Sequence, residues 1–275
     1  MPPIDPSRFV EALSPAMRQA ASIARALEGR VPNQPKSAET TEVKRALTIA
    51  DTAAQEALLV PLLENFPQVA LEAEEDTESV AHFDQSGVAR VVCDPIDGTL
   101  RSYLEARGPY SVMLGLEQDG RYEAALVALP REGLFFDAVR GHGARCCRAG
   151  SVSRRVTGSQ SGRRVLVSNG MPAEVCDVLR AQGWEVVPAS GGAVAVAPLI
   201  KGVRAGLRWG NAENGVSIRG RIGLLIAREA GLLVCGSDGE PFPDDQVSTA
   251  HALLVAGGAE DVDVLRDAIA QHPRA

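Results

Sequence analysis

Between Pro6 and Leu27, apolar residues recur at helical spacing at Met17, Ala21, Ile23, Ala24 and Leu27, which predicts a first helix with Ser14-Pro15 as a start signal part-way along it. A second helix is expected from about Asp51, a cap or first-turn acid, through Ala54, Ala57, Leu58, Val60, Leu62 and Leu63 to Phe66-Pro67. The stretch from Val31 to Glu42, rich in Pro, Asn, Ser and Thr, reads as the loop between them. From Gln68 the pattern changes to short β-type runs: Val69 to Leu71, Val88 to Cys93, Tyr110 to Leu116, Tyr122 to Leu129 and Leu134 to Val139. Asp119-Gly120 is a hairpin dipeptide, so this half is expected to be largely antiparallel and covered by the two helices.

Past the polar stretch Gly150 to Arg164, strand and helix alternate. Val165 to Ser168 and Glu185 to Pro188 read as strands, Pro172 to Ala181 and Ala193 to Ile200 as helices. Then follow a helix from Ile222 to Ala230 stopped by Gly231, strands at Leu232 to Cys235 and Leu253 to Ala256, and a last helix from Val262 to Ala270. The expected organisation is an α+β lobe over residues 1–155 and an α/β lobe over residues 156–275, with a small-molecule cleft between them.

Composition narrows the function classes. Lys and Arg number 28 against 35 Asp and Glu, a net charge of −7, and only 4% of residues are aromatic; neither suits a nucleic-acid polymer as partner. No apolar run approaches the length of a membrane span, and the amino terminus lacks the pattern of a secretory signal. The five cysteines include no Cys-x-x-Cys pair, so a reducing cytoplasm is the expected compartment. None of the four histidines stands in a nucleophile arrangement, and Gly-x-Ser-x-Gly does not occur. Cys93 and Cys235 read as small buried hydrophobes.

Chemistry concentrates in Val91-Val92-Cys93-Asp94-Pro95-Ile96-Asp97-Gly98-Thr99. A strand ending at Asp94 and a tight turn after it would bring two carboxylates and the Ile96 carbonyl to one point, beside the Gly98 and Thr99 amides. Hard oxygens next to N–H groups suit Mg²⁺ together with a phosphate. Glu72-Ala73-Glu74-Glu75-Asp76 holds four acids in five residues: either a solvated acidic turn, or the source of one more carboxylate for the same cation.

With Asp94-Pro95-Ile96-Asp97-Gly98-Thr99 in hand, the chain resembles the inositol monophosphatase family. Leu47-Thr48-Ile49-Ala50-Asp51, Ala73-Glu74-Glu75-Asp76, Arg140-Gly141-His142-Gly143-Ala144 and Arg228-Glu229-Ala230-Gly231 are similar to further motifs of that family, in its order. The resemblance implies a two-lobed αβαβα sandwich and Mg²⁺-dependent hydrolysis of a small phosphorylated metabolite, by a protein that forms homodimers. It also implies that Glu74, Asp94 and the Ile96 carbonyl hold one Mg²⁺, and Asp94 with Asp97 a second. Asp51, Thr99 and Glu74 would then position and deprotonate the attacking water, and Gly98 and Thr99 would seat the phosphate. Ser190-Gly191-Gly192-Ala193 opens a helix and, by the same resemblance, would line the substrate pocket through Gly192 and Ala193; Ser168-Asn169-Gly170 is a strand-ending turn near it.

The pattern departs from the family where a Trp-Asp pair is expected: Ile218 and Arg219 stand there, and no Asp occurs from Lys201 to Ser237. Asn211, Glu213, Asn214 and Ser217 are the nearest oxygen donors, with Glu213 a candidate substrate contact. Three readings of Arg219 stay open: a solvent-facing side chain, a guanidinium in the place of the second cation and in contact with phosphate, or the mark of a catalytically impaired protein that binds phosphorylated ligands or protein partners.

Overall fold

In the computed structural model, residues 3–87, 89–148, 151–158, 161–210 and 215–270 are described. Helix α1 (Pro6–Leu27) begins where Asp5 accepts the Ser7 amide at 2.9 Å, and Pro6 fills a first-turn position that needs no N–H. It buries Phe9, Val10, Leu13, Met17, Ala20 and Ala24 on one face. The fresh start expected at Ser14-Pro15 does not occur. The helix runs through Pro15, with the Ser14 hydroxyl turned back onto the Val10 carbonyl at 2.6 Å, because buried residues on both sides of Pro15 belong to one core. After the short helix α2 (Glu42–Arg45), which the sequence does not predict, α3 (Ile49–Asn65) is capped by Thr48 with Asp51 in its first turn.

These helices cover one face of a seven-stranded sheet formed in chain order by β1 (Ala70–Ala73), β2 (Arg90–Asp97), β3 (Ser111–Gln118), β4 (Arg121–Leu129), β5 (Leu134–Val139), β6 (Gly143–Arg148) and β7 (Arg154–Arg155). The β1–β2 pair is parallel and the others are antiparallel. Asp119 and Gly120, with φ of 53° and 79°, close the β3–β4 hairpin. The expected start of β2 at Val88 lies outside the described residues, and β2 does not stop at Asp94 but continues to Asp97.

The second sheet has the order β11-β12-β10-β8-β9, from β8 (Arg164–Ser168), β9 (Glu185–Ala189), β10 (Val203–Trp209), β11 (Leu233–Cys235) and β12 (Ala252–Ala256). Its central strand, β10, was not expected. Arg204, Gly206 and Arg208 interrupt its apolar pattern, and Gly206 serves close packing: a Cβ there would come within 2.3 Å of the Val194 carbonyl. Helix α4 (Ala173–Ala181) and the last helix, α7 (Ala259–Ala270), pack on the outer face. Helices α5 (Gly191–Ala195) and α6 (Ile222–Glu229) lie between the sheets, sharing one core with Val92, Met113 and Val127 on one side and Leu166, Leu253 and Val255 on the other. The layers are therefore αβαβα, as expected. The helix expected from Ala193 to Ile200 begins earlier, at Gly191, and breaks at Val196. Among the described residues no helix is long and apolar enough to cross a membrane.

Candidate active site

Parallel pairing of β1 with β2 sets Ala73 against Cys93, so the next residue on each strand, Glu74 and Asp94, emerges side by side. Between Asp94, opposite Met113, and Asp97, opposite Ser111, the β2 register slips by one residue. This bulge at Pro95-Ile96 costs the ladder little, since Pro95 has no N–H to contribute. Gly98 follows with φ of 90°, a left-handed conformation that suits glycine, and the chain enters a wide turn in which the Tyr103 amide bonds the Gly98 carbonyl at 3.1 Å.

The acid cluster after β1 does not act as one unit. Glu72 pairs with Arg90 at 3.2 Å, and Glu75 is buried against Lys36 at 2.8 Å and clamped through its backbone by Gln55. Glu74 alone joins Asp94, beside which the β1–β2 pairing sets it. Burial, then the charges of Glu74 and Asp97, push the Asp94 carboxyl well above the usual carboxylate range. Its Oδ1 is buried with no hydrogen-bond partner.

Asp51 reaches the same turn from the start of α3. Its Oδ2 accepts both the amide and the hydroxyl of Thr48 at 2.7 Å, and its Oδ1 lies 2.8 Å from the Thr99 hydroxyl. Burial raises its pKa to about 6, against the opposing effect of these hydrogen bonds. The Thr99 hydroxyl also lies 2.8 Å from the Ile96 carbonyl, but it has one proton for two acceptors. When Asp51 is ionised and takes that proton, the Ile96 oxygen keeps its lone pairs for another partner.

Arg219 does not point to solvent. From the turn before α6 its guanidinium faces the cluster, with Nη2 3.6 Å from Glu74 Oε1 and Nε 3.8 Å from Asp94 Oδ2. Burial works against its charge, yet Glu74 and Asp94, followed by Glu72 and Asp97, outweigh burial and hold its pKa above the ordinary value. Asp97 faces the middle layer instead: its Oδ2 accepts the Gly192 amide at 2.6 Å and the Ser111 hydroxyl at 3.1 Å. Ala193 is fully buried, and its amide donates to Ser190 Oγ at 3.4 Å, the N-cap of α5. Asn169 donates to Ser102 Oγ at 2.9 Å, tying the end of β8 to the wide turn. Glu213, Asn211 and Asn214 lie outside the described residues. Ser111 and Arg208, both beside α5, escaped the sequence reading because strand residues carry no local sign of the partner they face across sheets.

Among the described residues, no three His, Cys, Asp or Glu side chains form a ready metal cage. Glu74 and the orphaned Asp94 Oδ1 are hard oxygens beside one another, the Ile96 carbonyl follows two residues on, and the cost of crowding two carboxylates there falls when a cation is bound. That set fits one ion. A second ion between Asp94 and Asp97 does not fit equally, because Arg219 faces Asp94 and Asp97 Oδ2 is already engaged.

Four likenesses to known proteins bear on this site. Residues 9–188 match the sequence profile described as "Inositol monophosphatase family". Over 98 residues the chain is 36% identical to a histidinol-phosphatase of Chlorobaculum parvum (strain DSM 263 / NCIMB 8327), a match spanning 36% of each protein and thus about a third of that relative's length. In three dimensions it is similar to an IMPase of Thermotoga maritima (19% identity, TM-score 0.73, 96% of this chain and 99% of the other). It is also similar to the extragenic suppressor protein suhB of Bartonella henselae (18% identity, TM-score 0.72, with the same coverage).

Proposed function

The chain belongs to the inositol monophosphatase family, a family of phosphatases, and from that premise we propose that it hydrolyses a small phosphorylated metabolite with one Mg²⁺ and a built-in guanidinium in place of a second ion. The observation that carries this reading is the buried, unpartnered Asp94 Oδ1 beside Glu74, a few residues from the Asp51–Thr99 pair. Glu74, Asp94 and the Ile96 carbonyl would hold the ion, which supplies charge for the phosphoryl oxygens and lowers the pKa of water. Asp51, in its ionised state, accepts the proton of the attacking water, and the Thr99 hydroxyl orients that water. Arg219 offers its planar fork to the phosphoryl group, and Asp97 holds the start of α5 against the turn. The named relatives, a histidinol-phosphatase and an IMPase, support a phosphomonoester as substrate. The five unpaired thiols suit a reducing compartment, and the cytoplasm is the one proposed.

One observation favours a second reading, binding without hydrolysis: Arg219 already offsets part of the negative charge of Glu74 and Asp94. The two are separated by measuring phosphate release from inositol 1-phosphate, a 3′-phosphorylated nucleotide, a sugar phosphate and histidinol phosphate, with and without Mg²⁺, for the wild type and Asp94→Asn. Release that needs both the metal and Asp94 supports the phosphatase. Binding of these compounds by calorimetry with no release supports the second reading. Titration with Mn²⁺ is expected to give a single site, and a second site of equal affinity would remove Arg219 from the role given it here.

A further inference from the structure

Beside the start of α5 stands a cation that makes no ion pair among the described residues. Arg208 projects from β10, and its guanidinium lies in a slot between Gly191, at the start of α5, and Gly220, next to Arg219. Both glycines leave room that a larger residue would deny. A Cβ on Gly191 would come within 1.8 Å of Arg208 Nη1, and one on Gly220 within 2.3 Å. Other arginines nearby have partners. Arg219 has Glu74 and Asp94, Arg221 the carbonyls of Val216 and Asp245, and Arg228 the carboxylate of Asp244. Arg208 Nη1 is buried with no hydrogen-bond partner, while the side chain as a whole is only half-buried, so part of it stays within reach of a ligand. Leaving a guanidinium partly desolvated and unpaired is costly, and a ligand that brings an anion removes the cost.

The position is specific. Gly191 precedes Gly192, whose amide bonds Asp97, so Arg208 stands one residue along α5 from the bond that ties this helix to the turn expected to seat the phosphate. Asp51 and Thr99 mark the side from which water would attack, whereas Arg208 stands against Gly191 and Gly220. We propose that Arg208 determines substrate choice by binding a second anionic group, carboxylate or phosphate, on the leaving group of the phosphomonoester. The substrate class is thus a metabolite with two acidic functions, and a leaving group with a free amine is disfavoured. This inference rests on the phosphatase reading for its substrate, but not for the binding of the acidic group.

The test compares wild type with Arg208→Gln and Arg208→Lys on four probes. These are 3-phosphoglycerate, carrying a carboxylate; fructose 1,6-bisphosphate, carrying a second phosphate; glycerol 1-phosphate, neutral beyond the ester; and histidinol phosphate, carrying an amine. Initial rates are measured with Mg²⁺, and binding of the same probes and of inorganic phosphate by calorimetry. At least one acidic probe is expected to exceed glycerol 1-phosphate by about 10- to 100-fold in kcat/KM, the range of a charge-assisted hydrogen-bonded pair. Arg208→Gln should erase that advantage through KM and leave glycerol 1-phosphate unchanged, while Arg208→Lys should keep part of it. Which acidic probe leads identifies carboxylate or phosphate. Equal losses on every probe, or no preference in the wild type, would overturn the proposal. If no probe is hydrolysed, the phosphatase reading fails by itself. The inference is then decided by binding: weaker binding of the acidic probes but not of inorganic phosphate to Arg208→Gln supports it, and equal binding refutes it. If Arg208→Gln does not fold, as thermal denaturation would show, the wild-type preference and Arg208→Lys decide.

Discussion

The two walls of this site carry opposite charge and are stabilised differently. The wall from the first sheet and the start of α3 holds Asp51, Glu74 and Asp94, acids crowded by backbone geometry and eased by Thr48, Thr99 and Arg219. The wall from the second sheet and the turn before α6 holds Arg208 and Arg219, of which only Arg219 meets the acids. The proposed binding of a cation and of an anion rests on this difference: the acid wall has an oxygen without a hydrogen-bond partner, offered to a cation, and the arginine wall a guanidinium nitrogen without one, offered to an anion. A phosphorylated acid bound with one divalent ion satisfies both.

Four experiments press on that contrast. The largest effect is expected on the acid wall: Asp94→Asn should lower Mg²⁺-dependent phosphate release by about a hundredfold or more, read as initial rates at saturating metal. A loss of only a few fold would mean that this charge does not hold the ion.

Asp51 comes next, through pH. Its folded pKa, about 6, lies above the ordinary 3.8, so the folded chain holds this proton more tightly than the unfolded one. The stability this confers is complete below about pH 4 and is lost as pH rises through about 6, a difference of about 3 kcal/mol. Urea denaturation of the metal-free protein on both sides of that window should show the fall in wild type and a smaller one in Asp51→Asn. Matching pH profiles would put the ionisation elsewhere.

Gly192 tests the seam between the walls. A Cβ there would come within 2.3 Å of Met113 Sδ and 2.4 Å of Ser111 Oγ. Gly192→Ala should therefore cost about 2 kcal/mol in chemical denaturation and weaken phosphate binding by pulling the Gly192 amide from Asp97. Unchanged binding would make that bond irrelevant to the site.

The smallest effect is expected away from the chemistry, at Glu229. At the end of α6 it accepts the Gly141 and Gly143 amides at 2.8 and 2.7 Å and so ties the helix after Arg219 to the β5–β6 turn. Glu229→Gln should cost about 1 kcal/mol and leave kcat within a factor of about 2. A larger loss of kcat would show that Arg219 depends on this anchor.

What the sequence by itself determined lies within a few residues along the chain. Thr48 and Asp51 cap a helix by local bonding, Asp119-Gly120 closes a hairpin by its dihedrals, and Asp94 to Thr99 carries its own bulge and left-handed glycine. The core-facing spacing of α1 after Pro15 was legible for the same reason, whereas its unbroken run through Pro15 was not. Only the tertiary structure decided which member of Glu72 to Asp76 enters the site. That choice depends on Lys36, Gln55 and Arg90 claiming the others. Only it revealed β10, whose Arg204, Gly206 and Arg208 look unlike a central strand until α5 packs on Gly206. It alone turned Arg219 inward, to acids more than a hundred residues earlier, and left Arg208 beside Gly191 with Nη1 unpaired. Local bonding can be read from neighbours in sequence. The direction of a long charged side chain is settled by the field and free space of groups brought together by folding.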